Sequence, residues 1–156
     1  MKYYIGEYWA MMNSCDPIIR EEGVLKWDET AKNYGAYFQS VKDKLPKRFI
    51  KEYEKNDWFH DFAFDSINVS SIVKGASKIE LIITNDPISY KISLSGVTSF
   101  SVDIPSTRYW MCGKLTWGYS EFELNDDGAW IIRILCDFEC ELEILFRRIS
   151  ISVLGC

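Results

Sequence analysis

The sequence predicts an α+β fold, with N-terminal helices packed on one face of a C-terminal antiparallel sheet of about six to eight strands. This fold class is predicted by a change in the spacing of apolar residues near His60. Up to residue 58 the apolar residues recur at intervals of three and four, whereas afterwards they alternate with polar residues. Because a one-sided sheet must cover its apolar face, we expect a single domain over 1–156, in which residues 1–58 are helical and residues 59–156 form the sheet.

The helical region contains signals for two or three helices. Trp9 and Met12 suggest a short first helix, which the segment 13–17 ends. Asp28 is typical of an N-cap with an acidic first turn. Pro46 suits the first turn of a further helix. The apolar face of these later helices consists of Tyr34, Tyr37, Phe38, Val41, Leu45, Phe49, Ile50 and Tyr53.

Alternation predicts the strands of the sheet region. The turn signal Asn85-Asp86-Pro87 separates the first two of them. The alternating apolar residues are 79, 81 and 83; 88, 90, 92 and 94; 100, 102 and 104; 115, 117 and 119; 130, 132 and 134; and 142, 144 and 146.

One hairpin can be assigned a register from the sequence. If residues 126–128 form the loop, Gly128 takes the left-handed position of a three-residue turn. Leu124 then faces Trp130, Phe122 faces Ile132, and Glu121 faces Arg133. A shift of one residue would set charges opposite apolar groups, so we predict this register.

Composition and charge favour some partners over others. Of 156 residues, 47% are hydrophobic and 15% aromatic, as in ordinary globular proteins. The net charge of −5 lies in the sheet region, because residues 1–58 carry ten cationic and ten acidic residues, and residues 59–156 carry eight and thirteen. An acidic half argues against nucleic-acid binding, which needs clustered cations, and favours a basic partner.

Localisation and cofactors follow from what the sequence lacks. No apolar run approaches the ~20 residues that span a bilayer, and no secretory signal is recognisable. We therefore expect a cytoplasmic protein without membrane contact, whose five cysteines are reduced thiols. Cys136 and Cys140 have a C-x3-C spacing, but no second pair completes a zinc site. Glycine motifs for phosphates are missing from the sequence, so no cofactor is indicated.

Candidate binding residues are acidic and aromatic. Glutamates alternate with apolar residues on two predicted strands, which places their carboxylates on the wetter face of the sheet, either as a solubilising face or as an interaction surface. The crowded aromatic segment 108–119 is the other candidate, because Trp and Tyr are frequent at interfaces. The predicted partner-binding residues are Glu121, Glu123, Glu139, Glu141, Glu143, Tyr109 and Trp110.

His60 is the only histidine in the chain, and Asp61 follows it. A catalytic histidine needs a positioned nucleophile, and the sequence contains no recognisable nucleophile motif. The pair also lies where helix gives way to strand, where such side chains satisfy free backbone groups. We expect a structural corner, with His60 and Asp61 kept as the alternative catalytic candidates.

The chain resembles a bacterial family of uncharacterised proteins. The resemblance rests on the opening Met1-Lys2-Tyr3-Tyr4, the aromatic helical stretch, the Phe59-His60-Asp61 corner and the closing segment 141–149, Glu-Leu-Glu-Ile-Leu-Phe-Arg-Arg-Ile. Members of the family start with a similar Met-Lys-Tyr-Phe element and carry a Leu-His-Asp element. Family members have an aliphatic residue where this chain has Phe59. The layout is also similar to small immunity proteins encoded beside polymorphic toxins. The resemblance implies a recurring corner at His60 and carries over no catalytic residues.

Three hypotheses remain open from the sequence. The first is a non-enzymatic binding protein, such as an immunity protein that covers a basic toxin domain with its acidic sheet. The second is a small hydrolase that uses His60 and Asp61 with an unrecognised nucleophile. The third is a small-ligand binder in an aromatic-lined mouth of the sheet.

Overall fold

The computed structural model describes residues 1–70, 77–104, 114–137 and 140–155. Within these ranges, helices packed against a single antiparallel sheet of eight strands confirm the predicted α+β class. The helices are α1 (Gly6–Met12), α2 (Pro17–Val41) and α3 (Lys47–Lys55). The strands are β1 (Phe62–Ser70), β2 (Ser77–Asn85), β3 (Ile88–Val97), β4 (Ser99–Asp103), β5 (Thr116–Leu124), β6 (Trp130–Cys136), β7 (Glu141–Phe146) and β8 (Arg148–Leu154).

Helix α2 begins well before the predicted cap. The carboxylate of Asp16 accepts hydrogen bonds from the backbone N–H groups of Ile18 and Ile19, and Pro17 occupies the first helical position. The prediction of an N-cap at Asp28 was therefore wrong, since Asp28 lies inside the helix.

The predicted aromatic stripe covers the sheet. Tyr34, Phe38, Phe49 and Tyr53 are buried and belong to the same apolar cluster as the inward-facing strand residues. Two tyrosine hydroxyls of α2 also bind the backbone of β5. The hydroxyl of Tyr34 accepts a hydrogen bond from the N–H of Phe122, and the hydroxyl of Tyr37 accepts one from the N–H of Leu124. Helix α2 thereby covers these backbone groups of β5.

The strand order is β4-β7-β6-β5-β1-β2-β3-β8. The β5–β6 hairpin has the predicted register, with Glu121 opposite Arg133, Phe122 opposite Ile132 and Leu124 opposite Trp130. Gly128 has a φ of 77°, as its position in the turn requires.

The sheet curls until its two ends meet. Strands β7 and β8 are separated by Arg147 alone, yet they lie near opposite ends of the strand order. The same is true of β3 and β4, which only Thr98 separates. Backbone hydrogen bonds from Thr98 to Leu145 and from Arg147 to Ser95 join the two ends. Gly96 has a φ of 67° there and lies against the Arg147 side chain.

Two strands were not predicted. In β1 the register shifts between Phe64 and Ser66, which interrupts the alternation after two apolar residues. Strand β8 follows β7 after a single residue, so the pattern reads as one long strand. Among the described residues, no helix combines the length and the apolar character needed to cross a membrane.

Candidate functional site

The turn between α3 and β1 has an unusual backbone. Asp57, Trp58, Phe59 and Asp61 all have positive φ angles, between 48° and 66°. Residues other than Gly disfavour this left-handed region by about 1–2 kcal/mol each. Such conformations persist only where surrounding contacts impose them, and they concentrate at functional sites. We call residues 57–61 the corner.

The side chain of Phe59 anchors the corner. It is fully buried, and the rings of Phe49, Tyr53, Phe62, Tyr90 and Trp117 surround it. The backbone is held as well, because the N–H of Asp61 donates to the carbonyl of Trp117 at 2.8 Å. These contacts supply the stability that offsets the strained turn.

A crevice of about 270 Å³ opens beside the corner. Its wall is largely aromatic, because Trp58, His60 and Tyr119 line it. The side chain of Trp58 is 47% exposed, and the His60 ring meets the Tyr119 ring edge-on with a centroid distance of 5.0 Å. The lining residues are Tyr4, Asp57, Trp58, His60, Gly118, Tyr119 and Ser120. The crevice lies just below the range of about 300–1,000 Å³ typical of small-molecule sites, so it suits a single side chain.

Two carboxylates give the corner a negative charge. Asp61 is exposed and lies 3.1 Å from Nδ1 of His60. Among the residues that the structure describes, neither Asp57 nor Asp61 forms an ion pair with Lys or Arg. Burial, together with the charges of Asp61 and Asp57, raises the pKa of Tyr119. The field of both carboxylates therefore reaches the crevice wall.

The geometry does not assemble a hydrolase centre from the described residues. Ser120 lines the crevice, but its hydroxyl is engaged in the core by Nε1 of Trp117 at 3.0 Å and by the Tyr53 hydroxyl at 2.7 Å. Of the described cysteines, Cys15 lies exposed between α1 and α2, and Cys136 and Cys140 are buried. No described hydroxyl or thiol forms a hydrogen bond with His60, and no described cluster of three or more metal-ligating side chains occurs.

Glu121 is not on the wet surface where the alternation placed it. Its side chain is only 1% exposed. Its carboxylate accepts hydrogen bonds from three successive backbone N–H groups, those of Lys2, Tyr3 and Tyr4, at 2.6–3.1 Å. Residues 2–4 cover this region of the sheet. The prediction that Glu121 belongs to an exposed acidic surface was therefore wrong.

The other described glutamates of the predicted surface are half-buried or exposed, and each has a cationic partner. Glu123 binds Arg133 and Nζ of Lys2, Glu143 binds Nε of Arg133, and Glu141 binds the Met1 ammonium at 2.8 Å. The hydrogen bond from Arg133 holds the pKa of Glu123 below its usual value. These contacts neutralise most of the predicted acidic face.

Three predicted binding residues, Tyr109, Trp110 and Glu139, lie outside the described residues. Tyr119 ends the predicted aromatic segment 108–119, but the sequence did not single out Asp57 and Trp58 as site residues. A signal was present, because Asn56, Asp57 and Asp61 are residue types that tolerate left-handed backbone, and they surround the one histidine. An exposed Trp beside them cannot be recognised without knowing which ring is buried.

The comparisons with known proteins identify no family. The chain matches no protein-family model, and no curated protein matches it.

Proposed function

We propose that this protein is a non-enzymatic binding protein whose corner recognises a basic protein partner. One observation carries the proposal: an exposed Trp58 stands on a strained turn between two carboxylates that have no Lys or Arg partner among the described residues. An aromatic face beside negative charge is the chemistry that attracts a Lys or Arg side chain. The crevice offers space for one such side chain.

The corner replaces the acidic sheet as the expected contact surface. The described sheet glutamates are already paired within the chain, whereas Asp57 and Asp61 are available to an incoming cation. The resemblance to small immunity proteins supports a toxin domain as the first partner to test. Binding by occlusion requires no nucleophile, which agrees with the hydrogen bonds that hold Ser120 in the core.

Titration with a labelled peptide in which Arg and Gly alternate tests the corner directly, with fluorescence anisotropy as the readout. Trp58→Ala should weaken binding at least about tenfold, as expected for an interface Trp. The double variant Asp57→Asn/Asp61→Asn should do the same. The charge-matched control, Glu29→Gln/Asp126→Asn, removes two exposed carboxylates elsewhere and should bind like the parent protein.

Asp57→Gly separates binding from stability. Glycine adopts a φ of 48° without strain, so this variant should fold at least as stably as the parent while binding the peptide more weakly. Equal affinity of the corner variants and the control would refute the proposal. The toxin assignment is tested in cells that express the product of the neighbouring gene as the toxin. Co-expression of the parent protein should restore the growth of these cells, and Trp58→Ala should abolish that protection.

A further inference from the structure

A second recognition surface lies beside α3. A groove of about 870 Å³ runs between this helix and the short 3-10 turn Lys42–Lys44 that precedes it. It is about three times as large as the crevice at the corner. Its lining residues are Lys42, Asp43, Leu45, Lys47, Ile50, Lys51, Glu54 and Lys55.

Three lysines of the groove have no carboxylate partner among the residues that the structure describes. Lys47, Lys51 and Lys55 follow one another at intervals of four residues, which places their ammonium groups on one side of α3. At 1.5 Å per residue, this row is about 12 Å long. Lys42 differs, because its Nζ lies 2.9 Å from the carboxylate of Glu54.

Part of the groove floor is aliphatic. Leu45 is buried and Ile50 half-buried, and both line the groove. A row of cations beside an aliphatic floor matches an amphipathic segment that carries carboxylates on one face and aliphatic side chains next to them. Such a segment, when helical, presents acidic residues every four positions at the spacing of the lysine row.

We propose that this groove binds an acidic amphipathic helix of a partner protein. The aliphatic residues Leu45 and Ile50 favour a peptide over nucleic acid, because a phosphate backbone offers them no apolar partner. Of the two carboxylates that line the groove, Glu54 is paired with Lys42, whereas Asp43 would face either anionic ligand.

The groove is independent of the function proposed for the corner, since one surface takes an anionic segment and the other a cationic side chain. The two surfaces are nevertheless contiguous. Lys55 lines both the groove and the cleft that contains His60 and Asp61. A partner with both kinds of charge could therefore contact both surfaces at once.

The groove is tested by fluorescence anisotropy with a fluorescein-labelled helical peptide. The peptide carries Glu at every fourth position and Leu on the adjacent face of the helix. The parent protein should bind it saturably, and binding should weaken as salt is added. Lys47→Gln/Lys51→Gln/Lys55→Gln should weaken binding at least about tenfold. The matched control, Lys26→Gln/Lys32→Gln/Lys91→Gln, removes the same charge elsewhere and should bind like the parent. The double variant Lys47→Gln/Lys51→Gln, which leaves Lys55 beside the corner unchanged, should still bind the Arg-Gly peptide.

Four results would overturn the proposal. The first is that the parent protein does not bind the acidic peptide, and the second is that the groove variant and its control lose affinity equally. The third is that a scrambled peptide of the same composition binds as tightly as the acidic peptide. The fourth is that a DNA duplex of equal charge binds more tightly than the acidic peptide. Loss of Arg-Gly binding through Trp58→Ala leaves this experiment unaffected, so failure at one surface is distinguishable from failure at the other.

Discussion

Glu121 shows how far a single carboxylate can depart from its sequence pattern. The hairpin register places it correctly opposite Arg133, and alternation predicts that it lies on the opposite face of the strand from Phe122. Alternation identifies that face but cannot show what covers it. Residues 2–4 are remote in sequence, and their backbone N–H groups make the site at Glu121. The strand was therefore predictable, whereas the burial was not.

Glu121→Gln should lower the free energy of unfolding by about 1–3 kcal/mol, because an amide replaces a buried carboxylate that accepts three backbone N–H groups. Denaturant unfolding measures the change. Glu143→Gln is the matched control on the next but one strand, where an exposed carboxylate pairs with Arg133, and it should cost less than about 1 kcal/mol. A smaller effect for Glu121→Gln than for Glu143→Gln would contradict the anchoring role.

Among the elements, α2 illustrates a helix whose start the apolar pattern could not locate. Residues 17–22 are all exposed, and they include Ile18 and Ile19, so the first turns carry no buried stripe. The stripe that periodicity detects begins at Tyr34, and the segment Asp28-Glu29-Thr30 that precedes it looks like a cap. The capping carboxylate is Asp16. A local signal exists there, but the same residues also fit the end of α1.

Two glycines of α2 make a matched test of how α1 packs on it. A Cβ at Gly23 would lie 2.6 Å from both the Cβ of Met11 and the backbone nitrogen of Met12, whereas a Cβ at Gly35 would meet nothing within 4 Å. Gly23→Ala should therefore destabilise the protein by about 1–3 kcal/mol through overpacking. Gly35→Ala should stabilise it by about 0.5–1 kcal/mol through helix propensity. Thermal unfolding measures both changes as shifts in melting temperature. Shifts of the same sign in the two variants would show that α1 does not pack closely on α2 at Gly23.

Across the sheet, the individual strands were more predictable than their arrangement. Alternation along β2, β3, β6 and β7 reflects one buried face and needs no knowledge of neighbours. The strand order depends on contacts across the sheet, and the curl depends on two one-residue links, Thr98 and Arg147. Neither link carries a turn signal. The corner was likewise located correctly between helix and sheet, but its backbone conformation is imposed by the packing of Phe59.

Ionisation of three buried tyrosines should make the protein unfold in alkali. Burial raises the pKa of Tyr4 to about 12 and holds the pKa values of Tyr34 and Tyr53 well above the usual value of 10. These hydroxyls stay neutral in the folded state but ionise in the unfolded chain. Their contribution is therefore fully present below pH 10 and is lost as the pH rises through the folded pKa values.

The expected loss is large compared with the stability of a domain. Between the unfolded and folded pKa values, each buried tyrosine lowers the free energy of unfolding by about 1.4 kcal/mol per pH unit. Three together remove about 4 kcal/mol per unit from a total of about 5–15 kcal/mol, so cooperative unfolding should follow at pH values not far above 10. Tyrosinate absorbance and circular dichroism, followed together, should change in one transition. Tyr53→Phe loses one ionising group and should show a shallower decline above pH 10, and an identical slope would mean that Tyr53 is accessible to ionisation in the folded protein.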